Sequence, residues 1–105
     1  MEELFIENEE VRELVLAGAK LIDVRSAEEH ASGAVPGAIH VPLHLIPLQI
    51  FDHVDKNDTV ICYCLSGARS DRATRWLRDN GVEKAFNGGG VYPLLDVFAA
   101  DDDED

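Results

Sequence analysis

The chain is short and strongly acidic, with 105 residues, 46% of them hydrophobic, and a formal net charge of −12 at pH 7. This length accommodates one hydrophobic core and leaves no room for a second domain. The acidic surface disfavours binding to nucleic acids and anionic membranes, and no apolar run approaches the ~20 residues that a membrane-spanning helix requires.

Strand and helix patterns alternate along the first half of the chain. Residues 4–6 predict a short strand, and Asn8 is positioned to N-cap a helix that Gly18 ends. The next predicted elements are a buried strand at 21–24, a short helix at 27–31, a short strand at 38–41 and a helix at 43–51. Pro47 lies inside the last segment, where it either occupies the first helical turn or divides the helix.

The second half continues the alternation around a fully apolar strand. Residues 59–63 are typical of a strand in a sheet that is covered on both faces. After a short loop, Ala73, Trp76 and Leu77 recur at helical spacing. A last strand at 84–86 and a final helix at 91–98 complete the pattern. The alternation predicts a single three-layer α/β/α domain with a parallel sheet over residues 1–98.

The last residues, 99–105, form a tail rich in acidic side chains that has no apolar partner segment. We expect this tail to be disordered and to serve solubility. The alternative interpretation is a docking segment for a basic partner.

The most informative segment follows the apolar strand and reads Cys64-Leu65-Ser66-Gly67-Ala68-Arg69. A free cysteine has a pKa near ~8.5, so little thiolate exists at neutral pH. A helix N-terminus offers unpaired N–H groups and a partial positive charge, and both stabilise a thiolate. Gly67 lets the loop turn and present its amides, while the small Ser66 and Ala68 leave room for a bound group. We therefore predict that Cys64 is a nucleophile and that residues 65–68 bind substrate.

Two arginines extend this predicted site. Arg69 carries a permanent charge and a planar set of donors that suits an anion, so it is the second predicted catalytic residue. Arg72 lies about one helical turn further on and is predicted to contribute to substrate binding by maintaining a positive potential over Cys64. On that interpretation, replacing Arg72 raises the KM for an anionic donor, most strongly at low salt.

Cys62 and the chain start receive simpler interpretations. Cys62 and Cys64 are two positions apart on one strand, a poor geometry for a disulfide, so Cys62 is predicted to be a buried structural thiol. The histidines and cysteines do not have the sequence spacing typical of metal ligands, and we expect no metal.

The expected location is the cytoplasm. Reduced cysteines favour it, and so does Met1-Glu2-Glu3, which is acidic where a secretory signal is basic.

Three segments, in the same order along the chain, resemble the rhodanese family of sulfurtransferases. They are the loop at 64–69, which matches the family motif Cys-x-x-Gly-x-Arg; Asp23-Val24-Arg25 followed by 28–30 and 33–38, which resemble its first signature; and 87–90, which resemble the glycine pair before its last helix. The resemblance extends from Leu4 to Phe98. The chain departs from the family pattern at His30, Ala34 and Tyr92, none of which touches the predicted nucleophile.

The resemblance implies a five-stranded parallel sheet in the order 3-2-4-5-1, with Asp23 and Arg25 holding loops in place. It also implies double displacement, in which Cys64 takes a sulfane sulfur from a donor such as thiosulfate and passes it on from a persulfide. Loop amides and Arg69 stabilise that persulfide, and no metal or organic cofactor is required. The expected partners are a small anionic sulfur donor and an acceptor such as cyanide, a thiol or a protein. A monomer is expected, with no nucleic-acid or membrane partner.

Three other functions remain open at this point. Cell-cycle phosphatases share the fold implied here, but their motif is Cys-x5-Arg, one residue longer than the Cys-x4-Arg formed by Cys64 and Arg69. The smaller loop suits a sulfur atom better than a tetrahedral phosphate, and the same difference disfavours an arsenate reductase. A non-catalytic or regulatory binding module often lacks the cysteine, whereas this chain carries it in an intact loop.

Overall fold

A computed structural model describes residues 4–102 of the chain. Five α-helices and four β-strands alternate in this part, with short 3₁₀ turns on either side of the third helix. In chain order they are α1 (Asn8–Leu16), β1 (Lys20–Asp23), α2 (Ala27–Ala31), β2 (Ile39–His40), a 3₁₀ turn (Leu43–Leu45), α3 (Ile46–Gln49), a 3₁₀ turn (Ile50–Asp52), β3 (Val60–Cys64), α4 (Ala68–Asp79), β4 (Ala85–Gly90) and α5 (Val91–Asp102). None of the helices in this range is long and apolar enough to cross a bilayer.

Within residues 4–102 the sheet contains four parallel strands, in the order β2-β1-β3-β4. The predicted number of five strands is therefore wrong, because this part of the chain forms one strand fewer. The predicted first strand at 4–6 forms only an isolated parallel bridge, between Phe5 and Asn87 of β4. Its hydrogen bonds run from Ile6 N to Asn87 O at 3.0 Å and from Asn87 N to Leu4 O at 2.7 Å. The ladder stops there because Glu7 already caps α1. The segment nevertheless lies at the edge of β4, where the order 3-2-4-5-1 puts the first strand.

Side chains of the fully buried β3 alternate between two apolar cores. Val60, Cys62 and Cys64 belong to the core that contains residues of α3 and α4. Ile61 and Tyr63 belong to the other core, together with residues of α1 and α5. This alternation follows from the two-residue period of a strand. Helices therefore cover both faces of the sheet, which confirms the predicted three-layer α/β fold.

Several element boundaries differ from those predicted. Asn8 is the first residue of α1 and not its cap, because Glu7 holds the extended N-cap conformation. The predicted helix at 43–51 is divided into 3₁₀, α and 3₁₀ turns, with Pro47 in the first turn of α3, since proline has no N–H to continue an earlier helix. α5 continues to Asp102, beyond the predicted end at 98. Residues 99–102 of the predicted tail are therefore helical and not disordered. Residues 103–105 lie outside the described residues, so their disorder and the role of the tail remain predictions.

The carboxyl ends of the parallel strands gather the functional residues at one edge of the sheet, as is usual in open α/β folds. β1 ends at Asp23, β3 ends at Cys64 and β4 ends at Gly90. The loop after Cys64 leads into α4, whose N-cap is Gly67 with φ +102°. This left-handed conformation favours glycine, and it reverses the chain sharply enough to bring the start of α4 back over Cys64.

Candidate active site

The sulfur of Cys64 lies within a ring of hydrogen-bond donors. The amide of Gly67 donates to Sγ at 3.0 Å, the amide of Ser70 at 3.4 Å and the hydroxyl of Ser70 at 3.5 Å. All three donors come from the loop and the first turn of α4, where backbone N–H groups lack partners within the helix. The predicted amide cradle around Cys64 is therefore present, and it requires the turn at Gly67.

The two cysteines differ in the ionisation of their thiols. Burial acts to raise the pKa of Cys64, but hydrogen bonds from the Ser70 side chain and from the amides of Ser70, Gly67 and Ser66 outweigh it and lower the pKa. Cys62 is fully buried, and burial raises its pKa to about 12 despite a hydrogen bond from the Thr74 side chain. At neutral pH, Cys64 is thus the cysteine whose thiolate the structure stabilises. The structural interpretation of Cys62 agrees with its position in the core.

A buried pair, Ser70 and Asn87, supports the cradle, and neither residue was predicted to have a role in the site. The Ser70 hydroxyl has one hydrogen, and its Oγ lies 2.7 Å from Asn87 Oδ1 and 3.5 Å from Cys64 Sγ, so the two acceptors share that hydrogen. Asn87 Nδ2 donates to the carbonyl of Gly67 at 3.0 Å. Asn87 Oδ1 also accepts from the amide of Gly89 at 2.9 Å. The side chain of Asn87 therefore ties the loop to β4. The available signal was a polar residue next to three glycines at the carboxyl end of a strand.

The guanidinium of Arg69 is not free, because it is paired with the carboxylate of Glu29. Its two terminal nitrogens donate to the carboxylate of Glu29 at 2.7 and 2.9 Å. Hydrogen bonding to Glu29 raises the pKa of Arg69, and the charge of the Cys64 thiolate raises it further. In return, the hydrogen bond from Arg69 lowers the pKa of Glu29 to about 2. Glu29 also completes the capping box of α2 with Ser26, so α2 fixes the position of the arginine.

Asp23 and Arg25 form a buried network behind the site, as predicted for residues that hold loops in place. Asp23 accepts hydrogen bonds from Arg25, from Tyr63 Oη at 3.1 Å and from His30 Nδ1 at 2.9 Å. Arg25 also donates to the carbonyl of Gly33 at 2.7 Å. These bonds join the end of β1 to the loop after α2 and to β3. They fix the position of α2, which carries Glu29.

The remaining predicted site residues divide into two groups. Leu65, Ser66 and Ala68 are exposed in the loop above Cys64. Arg72 is also exposed, but it lines a groove of about 1000 Å³ that begins beside Arg69 and does not include Cys64 or residues 65–68. Within the described residues, no hydrogen bond joins Arg72 to Cys64. The structure thus brings together Cys64, the loop and Arg69, and it places Arg72 in the neighbouring groove.

The comparison with known families agrees with this geometry. The family model described as the rhodanese-like domain matches residues 7–92 of the chain. The chain belongs to the rhodanese-like family. The match includes the cradle, α2 with Glu29, and Asn87, so the family domain contains every residue of the site described above.

Individual relatives point to sulfur transfer as a general activity. The chain is 40% identical over 81 residues to thiosulfate sulfurtransferase PspE of Escherichia coli, with 76% of this chain and 78% of that protein covered. It is 39% identical over 72 residues to a sulfurtransferase of Allochromatium vinosum, and the match covers 68% of this chain and 66% of that relative, just under two thirds of its length. A human single-domain sulfurtransferase has a TM-score of 0.75 and 27% identity, covering 99% of this chain and 100% of that one. The family assignment and the α/β rhodanese-like fold class are thus confirmed.

Proposed function

We propose that this protein is a sulfurtransferase that carries a sulfane sulfur on Cys64 as a persulfide. The observation that carries the proposal is the ring of donors around Cys64 Sγ, formed by the Gly67 and Ser70 amides and the Ser70 hydroxyl. Such a ring stabilises negative charge on sulfur before and after transfer, which is the electrostatic requirement of the reaction. The lowered pKa of Cys64 supports the same assignment.

In the proposed uptake step, thiosulfate is the sulfur donor. The Cys64 thiolate attacks the outer sulfur of thiosulfate, a bond forms between the two sulfurs, and the S–S bond of the donor breaks. Sulfite leaves with the electron pair of that bond, and the negative charge of the thiolate passes to the outer sulfur of the new persulfide. Leu65, Ser66 and Ala68 are exposed in the loop that follows Cys64, and amides of this loop would supply donors for the charge of the outer sulfur.

Sulfur release reverses the roles of the groups. A thiophilic acceptor, such as cyanide or a thiolate, attacks the outer sulfur, the S–S bond of the persulfide breaks, and Cys64 leaves as the stabilised thiolate. Each half of the cycle is a displacement at sulfur, and no electron carrier or metal takes part. Donor and acceptor react in separate steps, so ping-pong kinetics are expected.

The test is the intact mass of the protein after exposure to thiosulfate. We expect the wild type to gain the mass of one sulfur atom, and cyanide to remove it. Cys64→Ser should gain none, whereas Cys62→Ala, the matched control, should load as the wild type does. Sulfur that persists on Cys64→Ser overturns the assignment of the nucleophile. Turnover of a phosphate ester by a wild type that takes up no sulfur would favour the phosphatase alternative instead.

A further inference from the structure

The groove beside Arg69 has one polar wall and one apolar wall. α4 contributes Arg69, Arg72 and Trp76, while the 3₁₀ turn and α3 contribute mainly apolar side chains from the segment 42–47. Its volume of about 1000 Å³ lies at the upper end of the ~300–1,000 Å³ typical of small-ligand pockets. A small inorganic anion would fill little of such a groove.

The groove carries more basic side chains than acidic ones, unlike the protein as a whole. Three arginines and a single aspartate, Asp79, line it, in a chain of net charge −12. Two of these arginines are neutralised by neighbours, Arg69 by Glu29 and Arg75 by Asp71 at 2.8 Å. Arg72 is exposed and has no ion-pair partner among residues 4–102. The groove therefore offers one arginine without an ion-pair partner near the start of α4, with Asp79 about two turns away at the end of that helix, beside an apolar surface.

Arg69 connects this groove to the reacting sulfur. It lines the groove, and the charge of the Cys64 thiolate contributes to its raised pKa after the larger effect of Glu29. Val24 and Ala73, which belong to the same core as Cys64, form part of the groove floor. A chain segment lying in the groove thus reaches Arg69, whose charge interacts with the Cys64 thiolate.

We propose that the groove binds an extended segment of a protein that accepts the sulfur. An acidic side chain of that segment pairs with Arg72, and its apolar side chains pack on the wall formed by 42–47. A cysteine of the same segment then attacks the outer persulfide sulfur, the persulfide S–S bond breaks, and Cys64 leaves as thiolate. This inference rests on the proposed function, and it assigns Arg72 to the acceptor and not to the donor.

A binding experiment tests the groove without any sulfur chemistry. Trp76 is the single tryptophan of the chain and lines the groove, so its fluorescence reports occupancy. The probe is a short peptide in which a central serine replaces the reactive cysteine, flanked on both sides by leucine and glutamate. We expect a saturable fluorescence change, weakened about tenfold by Arg72→Gln, the scale of one charge-assisted hydrogen bond. A peptide with lysine in place of glutamate should bind far more weakly.

Lys84→Gln is the matched control for the loss of one positive charge. Lys84 is exposed at the opposite end of the sheet, just before β4, and does not line the groove. This variant should bind the acidic peptide as the wild type does. The proposal is overturned if the fluorescence change does not saturate, if the lysine peptide binds equally well, or if Lys84→Gln weakens binding as much as Arg72→Gln.

A pair of variants at His44 changes the charge on the other wall of the groove, formed by residues 42–47. His44 is exposed and lines the groove, so a charge placed there should alter binding without affecting the core. His44→Glu should weaken binding of the acidic peptide, and His44→Lys should strengthen it. Identical affinities for the two variants would contradict the proposed location of the peptide.

A discharge experiment separates this inference from the proposed function. Protein loaded with thiosulfate is mixed either with cyanide or with the cysteine-containing acidic peptide, and the loss of sulfur is followed by mass. We expect Arg72→Gln to lower the rate of discharge to the peptide about tenfold relative to discharge to cyanide. If the wild type never loads sulfur, the proposed function fails. If loading and cyanide discharge proceed and Arg72→Gln changes only the KM for thiosulfate, the groove inference fails and Arg72 serves the donor.

Discussion

The guanidinium of Arg69 and the carboxylate of Glu29 form a bidentate pair, with nitrogen–oxygen distances of 2.7 and 2.9 Å. The partner of Arg69 thus lies 40 residues earlier in the chain. The pair positions Arg69 beside Cys64, and it also cancels most of the charge that Arg69 would show to an anionic donor.

Removing the charge of Glu29 should relieve this cancellation. Glu29→Gln should lower the KM for thiosulfate by about fivefold at low salt, because a unit charge at ~4 Å contributes ~1 kcal/mol in water. Glutamine retains the side-chain acceptor of the capping box with Ser26, so α2 should remain formed. The measurement is steady-state kinetics at several ionic strengths. A raised KM would show that Glu29 contributes more by positioning Arg69 than it costs by neutralising it.

The same pair predicts how stability changes in acid. The pKa of Glu29 is lowered to about 2 from an ordinary value of 4.5. A lowered pKa stabilises the folded state above the ordinary pKa, and this contribution disappears as pH falls from about 4.5 to about 2. The difference in unfolding free energy between the wild type and Glu29→Gln should therefore shrink over that interval. Both side chains are partly exposed, so the difference at neutral pH should be small. Urea unfolding at neutral and acid pH tests this, and a constant difference would contradict it.

Ser70 provides the only side-chain hydroxyl within hydrogen-bond distance of Cys64 among residues 4–102. Ser70→Ala should move the pH profile of Cys64 alkylation by iodoacetamide to higher pH. The alkylation rate at neutral pH should fall about three- to tenfold, corresponding to the ~0.5–1.5 kcal/mol of one hydrogen bond. Ser70→Thr retains the hydroxyl and should largely restore the profile. An unchanged profile in a folded Ser70→Ala would assign thiolate stabilisation to the backbone amides alone.

Tyr63 and Tyr92 offer a matched pair for testing the buried network. Tyr63 Oη accepts from the amide of Val35 at 3.0 Å and donates to Asp23 at 3.1 Å, whereas Tyr92 is 66% exposed. Tyr63→Phe leaves the buried amide of Val35 without its acceptor, a loss that costs ~1–3 kcal/mol of unfolding free energy. Tyr92→Phe should change stability by less than ~0.5 kcal/mol. Chemical denaturation of both variants tests the prediction, and equal effects would contradict it.

The parts predicted well from sequence are those determined by local pattern. The strand, the glycine turn and the start of α4 lie within residues 60–70, so their relationship to Cys64 could be inferred from spacing alone. Ser70 also lies in this segment, but its role depends on Asn87, which is 17 residues away. The pairing of Arg69 with Glu29 depends on how the end of β1 and α2 pack beside β3. No periodicity encodes such long-range contacts.

The errors at the chain start and at 43–51 have a different origin. The bridge at Phe5 and the helix at Asn8 compete for the same few residues, and the helix cap at Glu7 limits the strand. In the segment 43–51, the predicted helix was expected either to hold Pro47 in its first turn or to be divided by it; Pro47 lies in the first turn of α3, and 3₁₀ turns lie on either side. In both places the secondary structure is determined by a backbone requirement, a helix cap or a proline without an N–H, and not by hydrophobic periodicity.

The two cysteines on one face of β3 have a practical consequence. The pKa of Cys62 is about 12, whereas that of Cys64 is lowered and its sulfur lies beneath an exposed loop. A small thiol reagent applied near neutral pH should therefore modify Cys64 and leave Cys62 unmodified. The native sequence thus offers one reactive thiol, so modification can be followed without removing the other cysteine.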